Sequence, residues 1–208
     1  MRQFLVSHAA IRRRMALWGG AVRLGVLVSG RGTNLQNLID RDFEVVAVAT
    51  NRPSCGGAQV ARDHGIPLGE FSQKSYAARE ERDAAMGDFF ATHRTDLLVA
   101  AGYDRIHDLH RRFTVINVHP SLLPAFGGGM DAVRQALDYG VKVTGATVHL
   151  VTEAVDAGPI LAQEAVPVLL GDTEESLLER IHQAEYRILP EAIRMLEPQL
   201  AARATFGQ

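Results

Sequence analysis

The chain has 208 residues, 47% of them hydrophobic and 22% charged, which is enough for one well-buried domain and tight for two. Its net charge of −2 leaves no polybasic footprint, which argues against nucleic-acid and membrane-surface partners and points to small-molecule ligands. The single cysteine, Cys55, excludes an internal disulfide, and no run of about 18 apolar residues reads as a membrane span, so a cytoplasmic setting is expected.

Residues 1–21 carry arginines and no acidic residue, and they read as an N-terminal tail, with Met15 as an alternative start. From residue 22 the signals alternate. A strand at 24–29, the loop Gly30, Arg31, Gly32, Thr33, Asn34, and a helical pattern at 35–39 make a first βα unit. Strands at 43–49, 66–68, 97–101 and 115–118 then alternate with helices at 57–64, 76–93 and 106–113. That order implies a single-domain, doubly wound (Rossmann-like) α/β fold with a mostly parallel sheet. After a helix at 133–139, strands at 143–151 and 160–168 are separated by a loop holding Asp156, and they add an antiparallel C-terminal edge. Asp172 to Glu175 reads as the cap and acidic first turn of a final helix running toward Leu196. The domain is therefore expected to span 22–198, followed by a tail at 199–208.

Three features carry chemistry. The loop at 30–34 joins a strand to a helix, where glycines let an anion approach the backbone and the helix N-terminus offers free N–H groups, so it reads as a phosphate cradle. It lacks the third glycine of a dinucleotide fingerprint and the Lys-Ser/Thr pair of a P-loop. Taken alone, it also reads as a tight turn with no ligand. Asn117 and His119 stand two apart at the end of a β-branched strand stopped by Pro120 and Pro124, so they share one face where open α/β sheets bind ligands. By itself the pair also fits a turn cap and a core histidine. Asp156 lies in a Gly-Pro-bounded loop that can reach the same crevice, or it closes a turn. An amide, an imidazole and a carboxylate together polarise a carbonyl, hold a developing oxyanion and move a proton, and the nucleophile is left to a substrate.

The segments SGRGTNLQ at 29–36, AGYDRI at 101–106, INVHPSLLP at 116–124, TGATVHLV at 144–151 and VDAGPI at 155–160 resemble the phosphoribosylglycinamide formyltransferase family in order and spacing. The resemblance covers roughly 23–198. It implies formyl transfer from 10-formyltetrahydrofolate to the amino group of glycinamide ribonucleotide, a step of de novo purine synthesis, with no metal, by a monomer or homodimer. It also implies that Asn117, His119 and Asp156 are catalytic. Gly32, Thr33 and Asn34 then hold the ribonucleotide phosphate, and His182, Gln183, Ala184 and Glu185 meet its ribose. The folate side falls to Lys74, Asp104, Arg105, Ile106, His107, Asn117, Thr152, Glu153, Ala154, Val155 and Asp156.

The segment AFGGGMD at 125–131 departs from the family, which usually has a proline and often a histidine there. Methionyl-tRNA formyltransferase and formyltetrahydrofolate deformylase share the Asn-x-His and Asp core. The first adds a C-terminal tRNA domain and the second an N-terminal regulatory domain, and neither is expected from this length. A non-catalytic phosphosugar-binding module accounts for the glycine loop but not for three polar residues at separate strand ends.

Overall fold

The computed structural model describes residues 22–103, 108–129 and 131–206. The expected tail at 1–21 and the folate-side residues Asp104 to His107 lie outside the described residues. Seven strands form one sheet: β1 Leu24–Val28, β2 Val45–Thr50, β3 Leu68–Glu70, β4 Leu97–Ala100, β5 Thr114–His119, β6 Val143–Leu150 and β7 Ile160–Pro167. Their order is β3-β2-β1-β4-β5-β6-β7, parallel through β5 and antiparallel from β5 to β6 and from β6 to β7. The chain thus reverses direction across the sheet between β1 and β4, the switch point at which loops diverge and leave a crevice.

Among the described residues five helices cover the sheet: α1 Thr33–Asp40, α2 Gly56–Asp63, α3 Arg79–Thr92, α4 Ala132–Tyr139 and α5 Glu174–Phe206. The strand alternation sorts them. Leu24, Val26 and Val28 of β1 pack with Leu35 and Leu38 of α1, Ala61 of α2, Val133 of α4 and the α5 stripe Leu177, Ile181, Ala184 and Ile188. Leu27 points the other way and joins Met86 and Phe90 of α3. Leu177 and Ile181 are fully buried, and each such side chain contributes about 1.5–3 kcal/mol. This stripe fixes the rotation of α5 and so decides which of its residues face the crevice.

Several boundaries differ from the sequence expectation. The strand expected at 66–68 begins at Leu68, because Pro67 has no N–H to donate; its carbonyl instead accepts from Val48 N–H at 2.9 Å. The helix expected from residue 76 begins at Arg79, after a short 3-10 turn at Gln73–Ser75. A 3-10 turn at Asp108–Arg111 stands where a helix was expected. The final helix passes through Pro190 and Pro198 and continues to Phe206, so residues 199–206 are helical rather than a tail. Its start follows the sequence: Thr173 Oγ1 accepts from Ser176 N–H at 3.2 Å and Ser176 Oγ accepts from Thr173 N–H at 3.0 Å, a reciprocal cap.

Candidate active site

A cleft of about 360 Å³ opens at the switch point, lined by Gly30 to Asn34 after β1, Ala101 to Tyr103 after β4, Asn117 to Pro120 at the end of β5, and Leu178, His182 and Glu185 of α5. Residues 178, 182 and 185 recur at helical spacing, so one face of α5 closes the cleft while Ala184 is buried in the core. Gln183 is exposed and donates to Glu179, pointing away from the cleft. Of the four α5 residues expected at the ribose, His182 and Glu185 line the cleft, and Gln183 and Ala184 do not.

The loop at 30–34 does place a helix N-terminus at the cleft, with Gly32 as the N-cap of α1 at φ 81°. The structure adds a packing reason for the glycine. A Cβ on Gly32 would lie 2.4 Å from Gly57 Cα, so the residue is small because α2 packs against it as well as because of its left-handed backbone. Behind the loop, Asn34 Nδ2 donates to Glu185 Oε2 at 2.8 Å, and both side chains are buried. Burial pushes the Glu185 carboxyl up to about 7, with the Asn34 amide pulling the other way. Asn34 Oδ1 is buried without a hydrogen-bond partner, an acceptor aimed at nothing in the protein. Arg31 Nη2 lies 3.1 Å from His182 Nδ1, and burial, then the charge of Arg31, lowers the His182 pKa and keeps the ring neutral.

Asn117 and His119 share a face of β5, as expected, and the antiparallel register sets His149 opposite Asn117 and Thr147 opposite His119. His119 is 5% exposed and its Nδ1 stands 3.6 Å from Asp156 Oδ2. Its Nε2 is 3.0 Å from the Phe126 carbonyl, which accepts only, so Nε2 carries a hydrogen. Asp156 is brought in from the β6–β7 loop at φ 52°; its Oδ2 accepts from Gly128 N–H at 2.8 Å and its Oδ1 is 3.5 Å from His149 Nε2. His149, whose Nε2 faces Oδ1, leads the causes that hold its carboxyl below the usual range, burial opposes, and the Gly128 amide and the charge of His119 add to the lowering. The glycine-rich segment thus clasps the pair, through the Phe126 carbonyl on His119 and the Gly128 amide on Asp156. Thr147 anchors its base, donating to the Ser121 carbonyl at 2.7 Å and accepting from Leu123 N–H at 3.1 Å.

These side chains, at the described strand ends, carry the arrangement for polarising a carbonyl. A family model described as formyl transferase matches residues 22–193. The chain belongs to the formyl transferase family. It is 45% identical over 194 residues to the phosphoribosylglycinamide formyltransferase of Mycobacterium tuberculosis, covering 89% of this chain and 86% of that protein. It is 40% identical over 202 residues to the trifunctional purine biosynthetic protein adenosine-3 of Bos taurus, spanning 92% of this chain but only 20% of the bovine protein. Among solved structures, glycinamide ribonucleotide transformylase 1 from Symbiobacterium toebii matches with a TM-score of 0.80 at 45% identity, over 84% of this chain and 86% of that one.

Within this formyl transferase fold, the described folate-side residues Lys74 and Thr152 to Val155 are not among those lining the cleft. Thr152, Glu153, Ala154 and Val155 are exposed beside Asp156, and Lys74 is exposed on the 3-10 turn. Sequence reading assigned no role to His149, although the TGATVHLV segment contains it; a histidine within a strand flanked by valine and leucine was the available signal. Among the described residues no cluster of His, Cys, Asp and Glu is arranged to hold a metal ion, and no helix is long and apolar enough to cross a membrane.

Proposed function

We propose that this chain transfers the formyl group of 10-formyltetrahydrofolate to the amino group of glycinamide ribonucleotide, in de novo purine synthesis. The observation that carries the reading is the single cleft in which the α1 N-terminus, the Asn34/Glu185 pair and the Asn117/His119 face converge. The α1 N-terminus, with Gly32, Thr33 and Asn34, suits the phosphate: its first N–H groups have no partner inside the helix and its dipole end is positive. Glu185 and the unpartnered Asn34 Oδ1 are acceptors suited to sugar hydroxyls. Such a ligand, phosphate at one end, would bring its amine toward Asn117 and His119.

At that end the Asn117 amide and the His119 imidazole stabilise negative charge developing on the carbonyl oxygen, an effect worth a factor of about 10² to 10³ per donor. Asp156 sets a carboxylate beside His119 and passes the proton released by the attacking amine to the folate nitrogen as that nitrogen's bond to the formyl carbon breaks. The folate co-substrate suits the Thr152–Asp156 side of the site, where Val155 is 74% exposed and offers an apolar surface to an aromatic ring. When bound, it supplies the formyl group. Lys74 and residues 104–107 complete this proposed folate side.

The test is single-turnover formyl transfer with both substrates, followed by detection of formylglycinamide ribonucleotide and tetrahydrofolate. Tight binding of glycinamide ribonucleotide with no transfer would replace the enzyme by a phosphosugar-binding module.

A further inference from the structure

His149 is 2% exposed and belongs to β6, opposite Asn117 in the sheet. Its Nδ1 lies 2.9 Å from the Leu150 carbonyl oxygen, which accepts only, so Nδ1 carries a hydrogen. In the neutral ring Nε2 is then a bare acceptor, and Asn117 Nδ2 stands 3.2 Å from it. An amide nitrogen donates and an amide oxygen cannot, so this contact decides which end of the Asn117 amide turns toward β6. Both hydrogens of an amide sit on one nitrogen. With one given to His149, the other is held in a fixed plane at the cleft that Asn117 lines.

We propose that His149 is the positioning residue for Asn117: its Nδ1–H tautomer, set by the Leu150 carbonyl, orients the Asn117 amide as a hydrogen-bond donor toward the reacting carbonyl. This rests on the formyl-transfer reading above. Without an acceptor at Nε2 the two ends of the amide are nearly equivalent in shape, and the flipped form presents a lone pair to an oxygen gaining negative charge. Among the described residues, two other titratable groups lie against His149 and Asn117, Asp156 from the β6–β7 loop and His119 from β5. Asp156 Oδ1 lies 3.5 Å from Nε2, but Asn117 is closer, and the carboxylate is also met by the Gly128 N–H and by His119. A doubly protonated His149 would force Asn117 to present its oxygen to the ring and would lose the donor.

The experiment joins kinetics to spectroscopy. His149→Phe keeps the ring without the nitrogens, and it lowers kcat on the order of 10²-fold while the KM for glycinamide ribonucleotide stays within about twofold. His149→Gln, whose Oε1 can accept near the position of Nε2, recovers part of the loss. Adding Asn117→Ala to the Phe variant costs little more, because the contribution of Asn117 is already gone. Multiplying losses, or a Phe variant with wild-type kcat, overturn the proposal. If the Phe variant does not fold, ring ¹⁵N NMR of the wild-type protein decides alone: a protonated Nδ1 with a bare Nε2 sustains the proposal, and a proton on Nε2 overturns it. The NMR measurement uses no substrate, so a wild-type chain without formyl transfer would overturn the reaction and not the tautomer.

Discussion

Replacing Glu185 by glutamine makes the protein more stable and a poorer binder, and the size of the first effect follows from burial. A carboxyl raised from its ordinary 4.5 to about 7 makes the ionised form less favourable in the fold than in the unfolded chain by roughly 3 kcal/mol, at about 1.36 kcal/mol per pH unit. The folded state holds this proton to a higher pH than the unfolded chain does. Between pH 4.5 and about 7 the unfolded state therefore binds fewer protons, stability falls as pH rises, and the full penalty is present above about 7. Glutamine has nearly the same shape, can still accept from Asn34 Nδ2, and carries no charge. Urea unfolding of the two proteins at several pH values from 5 to 8 should give curves that nearly meet at the acid end and separate with pH. By pH 8 the variant should lead by about 3 kcal/mol. Taking the difference removes the titration of His119, His149 and His182, which both proteins share. The loss of a charged acceptor should raise the KM for glycinamide ribonucleotide by roughly 10-fold or more. A difference that does not change with pH, or a variant less stable at pH 8, would refute the burial argument.

Asp156→Asn should lower kcat by on the order of 10² with the KM for glycinamide ribonucleotide nearly unchanged, because the amide keeps the volume and removes the anion beside His119; wild-type kcat with an unchanged His119 pKa by NMR would make Asp156 a turn residue. Because His149 and Gly128 keep the Asp156 carboxyl below the usual range, its ionisation should not shape the kcat profile between pH 5 and 9, and a limb in that window traced to Asp156 by the Asn variant would contradict this. Gly32→Ala should lower the melting temperature as well as ribonucleotide affinity, since its Cβ meets Gly57 Cα at 2.4 Å in a backbone with φ 81°. Gly30→Ala, with nothing within 4 Å of the added carbon, should leave the melting temperature within a degree or two, and equal losses at both positions would remove the packing explanation.

Local physics made much of the architecture legible in the chain. The alternation of β-branched runs with helical spacing gave a parallel, doubly wound sheet, and Pro120 ended β5 just where Asn117 and His119 needed to be displayed. The cap at Thr173 and Ser176 likewise needs only neighbouring residues. Other features depend on partners far along the chain. A proline reads as a stop, yet α5 continues through Pro190 and Pro198 because Ile193 and Leu196 bury against the sheet and Leu200 packs beside them, and that burial outweighs the lost N–H bonds. Gly32 announced a close approach, but only the packing of α2 on α1 says that the approaching group is Gly57. Asn34 and Glu185, 151 residues apart, meet because the apolar stripe of α5 fixes its rotation, and no short motif holds that information. The partner of His149 was invisible for the same reason: Asn117 is assigned by the antiparallel register of β5 and β6, and register is a property of the folded sheet. Sequence named the candidate groups for the proposed chemistry, and tertiary structure decided which way each of them points, because hydrogen-bond direction is set by neighbours that only folding supplies.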